Sequence, residues 1–120
     1  MKPLIHAKLS VKKYGGEIDD YMPIHDFLDS SKAHVPDMRH RALLHNSFGI
    51  YLAEMTLGDR FTNSEGRLVV TRDIAEEHII QDMDRIPTVQ DYLEGMPLYP
   101  WLGGAKRNTR TIRFEEILED

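Results

Sequence analysis

No cysteine occurs among the 120 residues. Disulfide bonds and cysteine-based zinc sites are therefore excluded, and any bound metal ion would need histidine, aspartate or glutamate ligands. Long hydrophobic runs are also lacking, since no apolar stretch approaches the roughly 20 residues of a membrane-spanning helix. The segment from Met1 to Gly16 has no continuous apolar core of the kind that a signal peptide contains. We therefore expect a soluble, cytoplasmic protein without a membrane partner.

Positive charge is in short supply as well. The chain carries 15 Lys and Arg residues against 20 Asp and Glu residues, which gives a formal net charge of −5. A general attraction to nucleic acid is therefore not expected. The sequence also lacks the glycine-rich phosphate and dinucleotide motifs and the G-x-S-x-G motif of serine hydrolases. These absences leave the common nucleotide-binding and serine-nucleophile classes without support.

The composition and the hydrophobic periodicity predict one mainly α-helical domain. Hydrophobic residues make up 41% and charged residues 29% of the chain, as in ordinary globular proteins. Phe61 and Thr62 with Leu68 to Thr71 predict a small β-hairpin. The fold class is therefore a compact helical domain around a central long helix, with a small β-hairpin. Apolar spacing and helix-terminating residues predict these helices: Pro3 to Tyr14, Pro23 to Ser30, Pro36 to Leu57 (the central one), Asp73 to Asp84 and Thr88 to Gly95.

The central helix and the end of the chain carry further expectations. A helical wheel places Met38 and Met55 on one broad apolar face of the central helix. Trp101 is expected to anchor the proline-rich segment around it on the core. Residues 1–104 would form the single domain. Residues 105–120 differ in composition and would form a tail, which is either flexible or a partner-docking helix.

A first candidate site combines two helices. His45 is predicted on the apolar face of the central helix with Arg41 one turn earlier, and a buried imidazole or guanidinium needs a partner. His78 and Asp82 are four residues apart, so they share one face of the later helix and can present two metal ligands. We predict that these four residues meet; the alternative is a purely structural histidine and ion pair. The candidate metal ligands are His45, His78, Asp82 and His40, and the candidate anion-binding residues are Arg41 and Lys32.

A second group of histidines and carboxylates precedes the central helix and continues into its first turns. Asp37 and His40 are three residues apart, as in the Glu-x-x-His pairs of metal-binding helical bundles. No second copy of that pair is evident, so a mononuclear metal site is favoured over a dinuclear one. The following residues are interpreted as supporting or structural groups around such a site: His25, Asp29, His34, Asp37 and Glu77.

Three stretches resemble a family of small uncharacterised proteins encoded by tailed phages and bacteria. The family pattern contains an IHD-x-x-D-x-SK stretch, an RHRAL-x-H core and an E-x-H-x-x-x-D-x-x-x-IP segment, and the resemblance covers about residues 6 to 101. Asn46 stands where a second histidine often follows His45, which weakens any site that needs paired histidines there. The tail from Ala105 is additional. The family is labelled a domain of unknown function, so the resemblance implies a phage or prophage origin and no reaction.

Three functions remain open at this point. The first is a phage-type accessory protein whose His/Asp/Arg cluster binds one divalent metal ion (Zn, Mn or Fe) or a small anionic ligand. The second is a metal-dependent phosphoester hydrolase, in which the ion activates water and Arg41 stabilises developing charge. The third is a non-catalytic module that docks a host or phage protein, with the polar cluster serving only the fold. If the protein is phage-encoded, its expected location is the cytoplasm of the host cell.

Overall fold

The computed structural model describes residues 1–103, and the tail predicted for residues 105–120 lies outside them. The prediction of a mainly α-helical domain with a small β-hairpin is confirmed. Short 3-10 turns at Ser30–Ala33, Met38–His40 and Pro100–Gly103 join or follow the main elements. The helices and strands, in chain order, are α1 Pro3–Tyr14, α2 Ile18–Asp29, α3 Arg41–Leu44, α4 Ser47–Leu57, β1 Arg60–Thr62, β2 Leu68–Val70, α5 Thr71–Met83 and α6 Val89–Leu93.

Helix α2 lies at the centre of the helical packing and contacts α1, α4 and α5. Its apolar residues Tyr21, Ile24 and Leu28 are buried, and Ile74 and Ile79 of α5 pack in the same core. Burial of apolar surface is the main favourable term in folding, so this shared core holds the four helices together. Within residues 1–103, no helix has the length and apolar character needed to cross a membrane.

The start of α2 differs from the prediction. The helix begins at Ile18 rather than at Pro23, which lies inside it. The reason is a reciprocal cap: Glu17 accepts from the backbone of Asp20, and the Glu17 backbone N–H donates to Asp20 Oδ2 at 2.7 Å. The earlier start adds more than one turn before Pro23. It lets one continuous helix carry both His25 and Asp29 into the interior.

The predicted central helix from Pro36 to Leu57 is wrong, because the helix is interrupted between α3 and α4. Asn46 has an extended backbone, its side-chain oxygen accepts from Gly49 N at 2.8 Å, and its side-chain nitrogen donates to Ala42 O at 3.0 Å. Asn46 thus caps α4 and closes α3 at the same time. The break also changes the helical register, so Met38 (72% exposed) and Met55 (67% exposed) do not line a common buried face.

The segment after α5 braces this break from the other side. The Ser47 backbone N–H donates to Pro87 O at 2.9 Å. The Tyr92 hydroxyl, from α6, donates to the backbone carbonyl of His45 at 3.0 Å. These two contacts hold His45 in place between α3 and α4. The expectation that Trp101 anchors the chain on the core is wrong, because the indole is exposed and stacks on Tyr99 instead.

The β-hairpin connects α4 to α5. Its strands pair antiparallel, with Phe61 opposite Val69. Asn63 organises the turn: its side-chain oxygen accepts from two backbone N–H groups of the turn, and its side-chain nitrogen donates to Tyr14 O and to the Tyr21 hydroxyl. The turn is thereby tied to the ends of α1 and α2. Since β2 runs directly into α5, the hairpin also fixes where α5 begins.

Candidate metal centre

Five of the six imidazoles are buried, and they come from different elements of the fold. Only His34, in the connection before α3, is exposed. A buried imidazole is desolvated and needs partners for its ring nitrogens. The interior of the domain is therefore a polar cluster set into an apolar core. The buried histidines are His6 on α1, His25 on α2, His40 at the start of α3, His45 at the break and His78 on α5.

Four side chains of this cluster bring their donor atoms into one small volume. Asp29, His45, His78 and Asp82 each offer one atom, and these atoms all lie within 4.8 Å of one another. His45 Nε2 lies 2.9 Å from Asp82 Oδ2 and 3.6 Å from Asp29 Oδ1. His78 Nε2 lies 3.4 Å from the same Asp82 oxygen and 3.2 Å from the same Asp29 oxygen. Each imidazole nitrogen thus stands between the same two carboxylate oxygens.

Those separations match a coordination shell. A tetrahedral ion with bonds of about 2.0–2.1 Å requires its ligand atoms to be about 3.3–3.4 Å apart. The four nitrogen–oxygen separations, from 2.9 to 3.6 Å, scatter around that value. Two nitrogen and two oxygen donors suit a borderline divalent cation. The residues present therefore fit a mononuclear ion in donor type and in these four separations.

The two carboxylates of this group are ionised. Burial would raise the pKa of Asp82, but the hydrogen bond from His45 and the neighbouring imidazoles His6 and His78 lower it to about 2. Burial likewise opposes ionisation of Asp29, yet the hydrogen bond and the charge of His78 bring its pKa below the ordinary value. Both side chains are almost fully buried, with 5% and 2% exposure for Asp29 and Asp82. The pocket thus contains two buried negative charges.

The imidazoles of His25 and His45 do not neutralise that charge. Burial, with the nearby His78, lowers the pKa of His25 to about 3. Burial also lowers the pKa of His45 to about 4, against the raising effect of its hydrogen bond to Asp82. At neutral pH these rings are therefore uncharged. Each carboxylate has one cation at the edge of the pocket: the N-terminal amine lies 3.2 Å from Asp82 Oδ1, and Lys32 Nζ lies 3.8 Å from Asp29 Oδ2. The other oxygens, Asp82 Oδ2 and Asp29 Oδ1, face the two imidazole nitrogens, where a divalent cation would be stabilised by both carboxylates.

Two buried atoms of the group of four have no hydrogen-bond partner among the described residues: Asp29 Oδ2 and His45 Nδ1. The nearest cation to the first is Lys32, whose Nζ lies 3.8 Å away with its side chain 45% exposed. Unsatisfied buried polar atoms are rare in folded proteins and commonly mark a functional or ligand-binding site. Both atoms belong to residues of the group of four, beside the donor atoms Asp29 Oδ1 and His45 Nε2.

A second set of nitrogens, from His6, His25 and His78, is equally close together but is not a ligand set. An ion bound to imidazole lies near the ring plane, whereas these three rings are nearly parallel, at 18° to 25° to one another. His6 stacks on His78 with 3.8 Å between ring centres. By contrast, the rings of His45 and His78 meet at 66°, so their planes intersect. Ring orientation thus favours the His/Asp group over the three-histidine group.

The stacked histidines His6 and His25 contact two members of the group of four, Asp82 and His78. His6 Nε2 lies 3.1 Å from Asp82 Oδ1, and its other ring nitrogen lies 2.6 Å from Gln81 Oε1. His25 Nδ1 lies 2.8 Å from His78 Nδ1, and its Nε2 lies 2.9 Å from Ser10 Oγ. Contacts of this kind fix the orientation of ligands in metal sites.

Three of the four candidate metal ligands predicted from the sequence come together, and Asp29 joins them in place of His40. The sequence places Asp29 among the supporting groups, because periodicity alone does not show that α2 passes beside α5. His40 turns its Nδ1 to Ser31 Oγ at 3.1 Å and meets the His45 ring edge-on. It therefore lies next to the centre without pointing into it.

The other predicted residues lie in different places. Arg41 is half-buried and, within residues 1–103, forms no ion pair with Asp29 or Asp82. Asp37 is exposed and caps the 3-10 turn through Arg39 N at 2.9 Å. Glu77 accepts from the Tyr14 hydroxyl at 2.8 Å and pairs with Lys13. Of the residues proposed to bind an anion, only Lys32 reaches the edge of the centre.

Sequence reasoning missed three residues that the structure places around the centre: His6, Ser10 and Gln81. His6 and Ser10 are four residues apart and flank the buried Ala7, so they lie on the inner face of α1. That spacing is a signal that can be read from the sequence. Gln81 has no comparable signal, because it directly precedes Asp82 and only the tertiary structure brings it to His6.

The fold and the cluster together define a mainly helical domain that buries a His/Asp group with the spacing of a metal centre. The chain belongs to the family described as Domain of unknown function (DUF6915), whose match covers residues 1–102. No curated protein matches the chain significantly, and neither does any solved structure.

Proposed function

We propose that this protein is a metal-binding domain in which Asp29, His45, His78 and Asp82 hold one divalent cation. The observation that carries the proposal is the arrangement of two imidazole nitrogens between two carboxylate oxygens, at separations of 2.9 to 3.6 Å. Two carboxylates with lowered pKa values, and a His45 imidazole whose pKa is lowered by burial, supply the oxygen and nitrogen lone pairs that a divalent cation binds. Asp29 Oδ2, which has no hydrogen-bond partner within residues 1–103, adds further capacity to bind it.

Zinc is the ion that this donor set suits best among zinc, manganese and iron. Zinc accepts four ligands in a tetrahedron and binds both histidine and carboxylate. Manganese prefers six oxygen-rich ligands, and non-haem iron sites of the two-histidine, one-carboxylate type keep positions open for other ligands. Here four protein donors already surround the point between them, and their side chains are at most 5% exposed.

The same burial favours a structural ion over a catalytic one. A catalytic zinc site keeps one coordination position for water or substrate, whereas a structural site is filled by four protein ligands. A phosphoester hydrolase would also need a cationic group at the ion, and Arg41 is not paired with this cluster. A small anion is disfavoured, because Asp29 and Asp82 make the pocket negative. We therefore place the structural metal domain before the hydrolase and the anion-binding protein.

Metal analysis of the purified protein tests the proposal directly. Protein prepared without an affinity tag is expected to contain about one equivalent of zinc, or to take up one equivalent of zinc or cobalt after chelation. The cobalt form should show the strong visible absorption of a tetrahedral site. The variants His45→Ala and His78→Ala should lose this uptake, while His34→Ala, which removes an exposed imidazole, should keep it. A wild-type protein that folds yet binds neither ion would overturn the proposal and favour a protein-interaction module.

A phage or prophage origin and a cytoplasmic location stay predictions. A role as an accessory protein would fit a small domain stabilised by an ion. Proteins that bind the domain in host-cell extracts, compared with those bound by His78→Ala, would show whether a partner depends on the metal-bound state.

A further inference from the structure

Behind His78, a line of buried polar side chains leads away from the proposed centre. His78 Nδ1 meets His25 Nδ1 at 2.8 Å, and His25 Nε2 meets Ser10 Oγ at 2.9 Å. The Ser10 hydroxyl also lies 3.1 Å from the backbone carbonyl of His6. All members are buried. Because each contact joins two ring nitrogens or a ring nitrogen and a hydroxyl, the position of one proton determines the next.

Two arrangements of protons satisfy this line, which we call the Ser10 relay (Ser10, His25 and His78). In the first, Ser10 donates to His25 Nε2, His25 Nδ1–H donates to His78 Nδ1, and His78 Nε2–H faces Asp29 at 3.2 Å. This arrangement places a proton where an ion would bind. It suits the metal-free protein, since the proton lies between His78 and the carboxylates.

In the second arrangement every donor is reversed. His78 Nδ1–H donates to His25 Nδ1, His25 Nε2–H donates to Ser10 Oγ, and the Ser10 hydroxyl donates to the carbonyl of His6. His78 Nε2 is then unprotonated, and its lone pair points between the two carboxylate oxygens. Both arrangements hold three protons on the three residues, so they differ in the location of the protons and not in their number.

We propose that Ser10 and His25 are positioning residues that present Nε2 of His78 to a divalent cation: His25 accepts a hydrogen bond from His78 Nδ1–H, and Ser10 accepts one from His25 Nε2–H. Metal binding reverses the donors of the relay: the ion displaces the His78 Nε2 proton to water, the protons of His25 and Ser10 each pass one step towards His78, and Ser10 regains a proton from water. This inference rests on the proposed metal site and adds the device that prepares one of its ligands. A metal-bound imidazole in proteins ordinarily donates its other N–H to a fixed acceptor. In this protein the acceptor is a second imidazole, His25. Because its Nδ1 must then be unprotonated, His25 carries its proton on Nε2 and needs Ser10 as an acceptor.

Nitrogen NMR of the wild-type protein tests the reversal without any substitution. Long-range proton–nitrogen spectra distinguish a ring nitrogen that carries a proton from a bare or metal-bound one. On addition of zinc, the proton on His78 is expected to move from Nε2 to Nδ1, and the proton on His25 from Nδ1 to Nε2. A zinc-bound His78 coordinated through Nδ1, or a His25 tautomer that is the same with and without zinc, would overturn the inference.

A pair of substitutions at His25 tests the positioning role. The side-chain oxygen of His25→Asn occupies the place of Nδ1 and keeps an acceptor, whereas His25→Leu removes it. We expect zinc affinity to fall about 10- to 100-fold in His25→Leu, the usual effect of losing such a contact, and only a few-fold in His25→Asn. Ser10→Ala should give an intermediate loss. Equal affinities of the Leu and Asn variants would reject the role of His25.

The outcomes separate this inference from the proposed function. Absence of zinc binding by folded wild-type protein would reject the metal site itself. Zinc binding that is unaffected by His25→Leu would reject only the relay. Should His25→Leu fail to fold, Ser10→Ala and the wild-type nitrogen spectra decide the question, with His34→Leu as the control for loss of an imidazole elsewhere.

Discussion

His45 Nε2 lies 2.9 Å from Asp82 Oδ2, although the two residues are 37 positions apart and belong to different elements. The contact joins the break between α3 and α4 to the last turn of α5. The interruption lets His45, which lies between the two helices, reach the centre of the domain. Asp82 therefore links α5 to the α3–α4 break, and its charge is the first target for substitution.

Replacing Asp82 by asparagine should abolish stoichiometric metal binding while preserving the shape of the side chain. The amide lacks the negative charge and places an N–H group near imidazole nitrogens that must act as ligands. Zinc titration by calorimetry measures the effect. Glu77→Gln is the matched control, since it also removes a carboxylate from α5 but one that contacts Lys13 and Tyr14 instead. Equal zinc affinity of the two variants would contradict the assignment of Asp82.

The stability of the metal-free protein should depend on pH in the acid range. The folded-state pKa of His25 is about 3 and that of His45 about 4, both below the ordinary value of about 6.5. Between these values the unfolded chain binds more protons than the folded one, so the free energy of unfolding rises with pH. The contribution is complete above about pH 6.5 and is lost as the pH falls towards 3.

Urea unfolding at a series of pH values, in the presence of a chelator, measures this dependence. Each of the two histidines contributes a slope of up to about 1.4 kcal/mol per pH unit. His25→Asn should reduce the slope, because the variant removes one of the two groups. A flat profile between about pH 4 and 6.5 would mean that these imidazoles are not desolvated in the folded protein.

Metal removal should lower the stability of the whole domain rather than of one loop. The four proposed ligands come from α2, the α3–α4 break and α5, so an ion would tie these elements together. At a free zinc concentration of one hundred times Kd, binding would add about 2.7 kcal/mol to the free energy of unfolding. Thermal unfolding with zinc and with a chelator measures the difference. If zinc binds but leaves the melting temperature unchanged, the ion lies outside the folded core.

Gly49→Ala should be strongly destabilising. A Cβ atom added at Gly49 would overlap with the backbone carbonyl of Leu44, which cannot move without opening the break. Overpacking of this kind costs about 1–3 kcal/mol and would displace the neighbouring His45. Gly95→Ala is the control, because a Cβ atom there meets nothing within 4 Å. Both stability and zinc affinity should fall in the first variant and remain near wild type in the second.

The break between α3 and α4 shows how far sequence reasoning reaches. Apolar spacing from Met38 to Met55 favours one helix, and the mainly α-helical class follows from such patterns. The signals for the interruption are Asn46, a good N-cap, and Gly49 three residues later. Neither residue forbids a continuous helix by itself. The decisive contacts come from Pro87 and Tyr92, which no local pattern in the sequence connects to this point.

The candidate centre was predictable in part for the same reason. His78 and Asp82 share a helix face, and a buried His45 needs a polar partner, so their meeting follows from periodicity and desolvation. Asp29 requires the packing of α2 on α5, and His6 requires the packing of α1 on both. Long-range packing, rather than residue type, decides which of many His/Asp pairs becomes a site.

The contact between the Tyr92 hydroxyl and the carbonyl of His45 has a kinetic consequence. An ion enclosed by four buried donors can leave only when one of them swings out, and His45 is the donor that a short connection, rather than the interior of a helix, carries. Detachment of α6 would free that connection while α2 and α5 stay packed. The rate of metal exchange would then be set by how often α6 detaches from the domain. Tyr92→Phe should therefore shorten the residence time of the ion without altering any ligand.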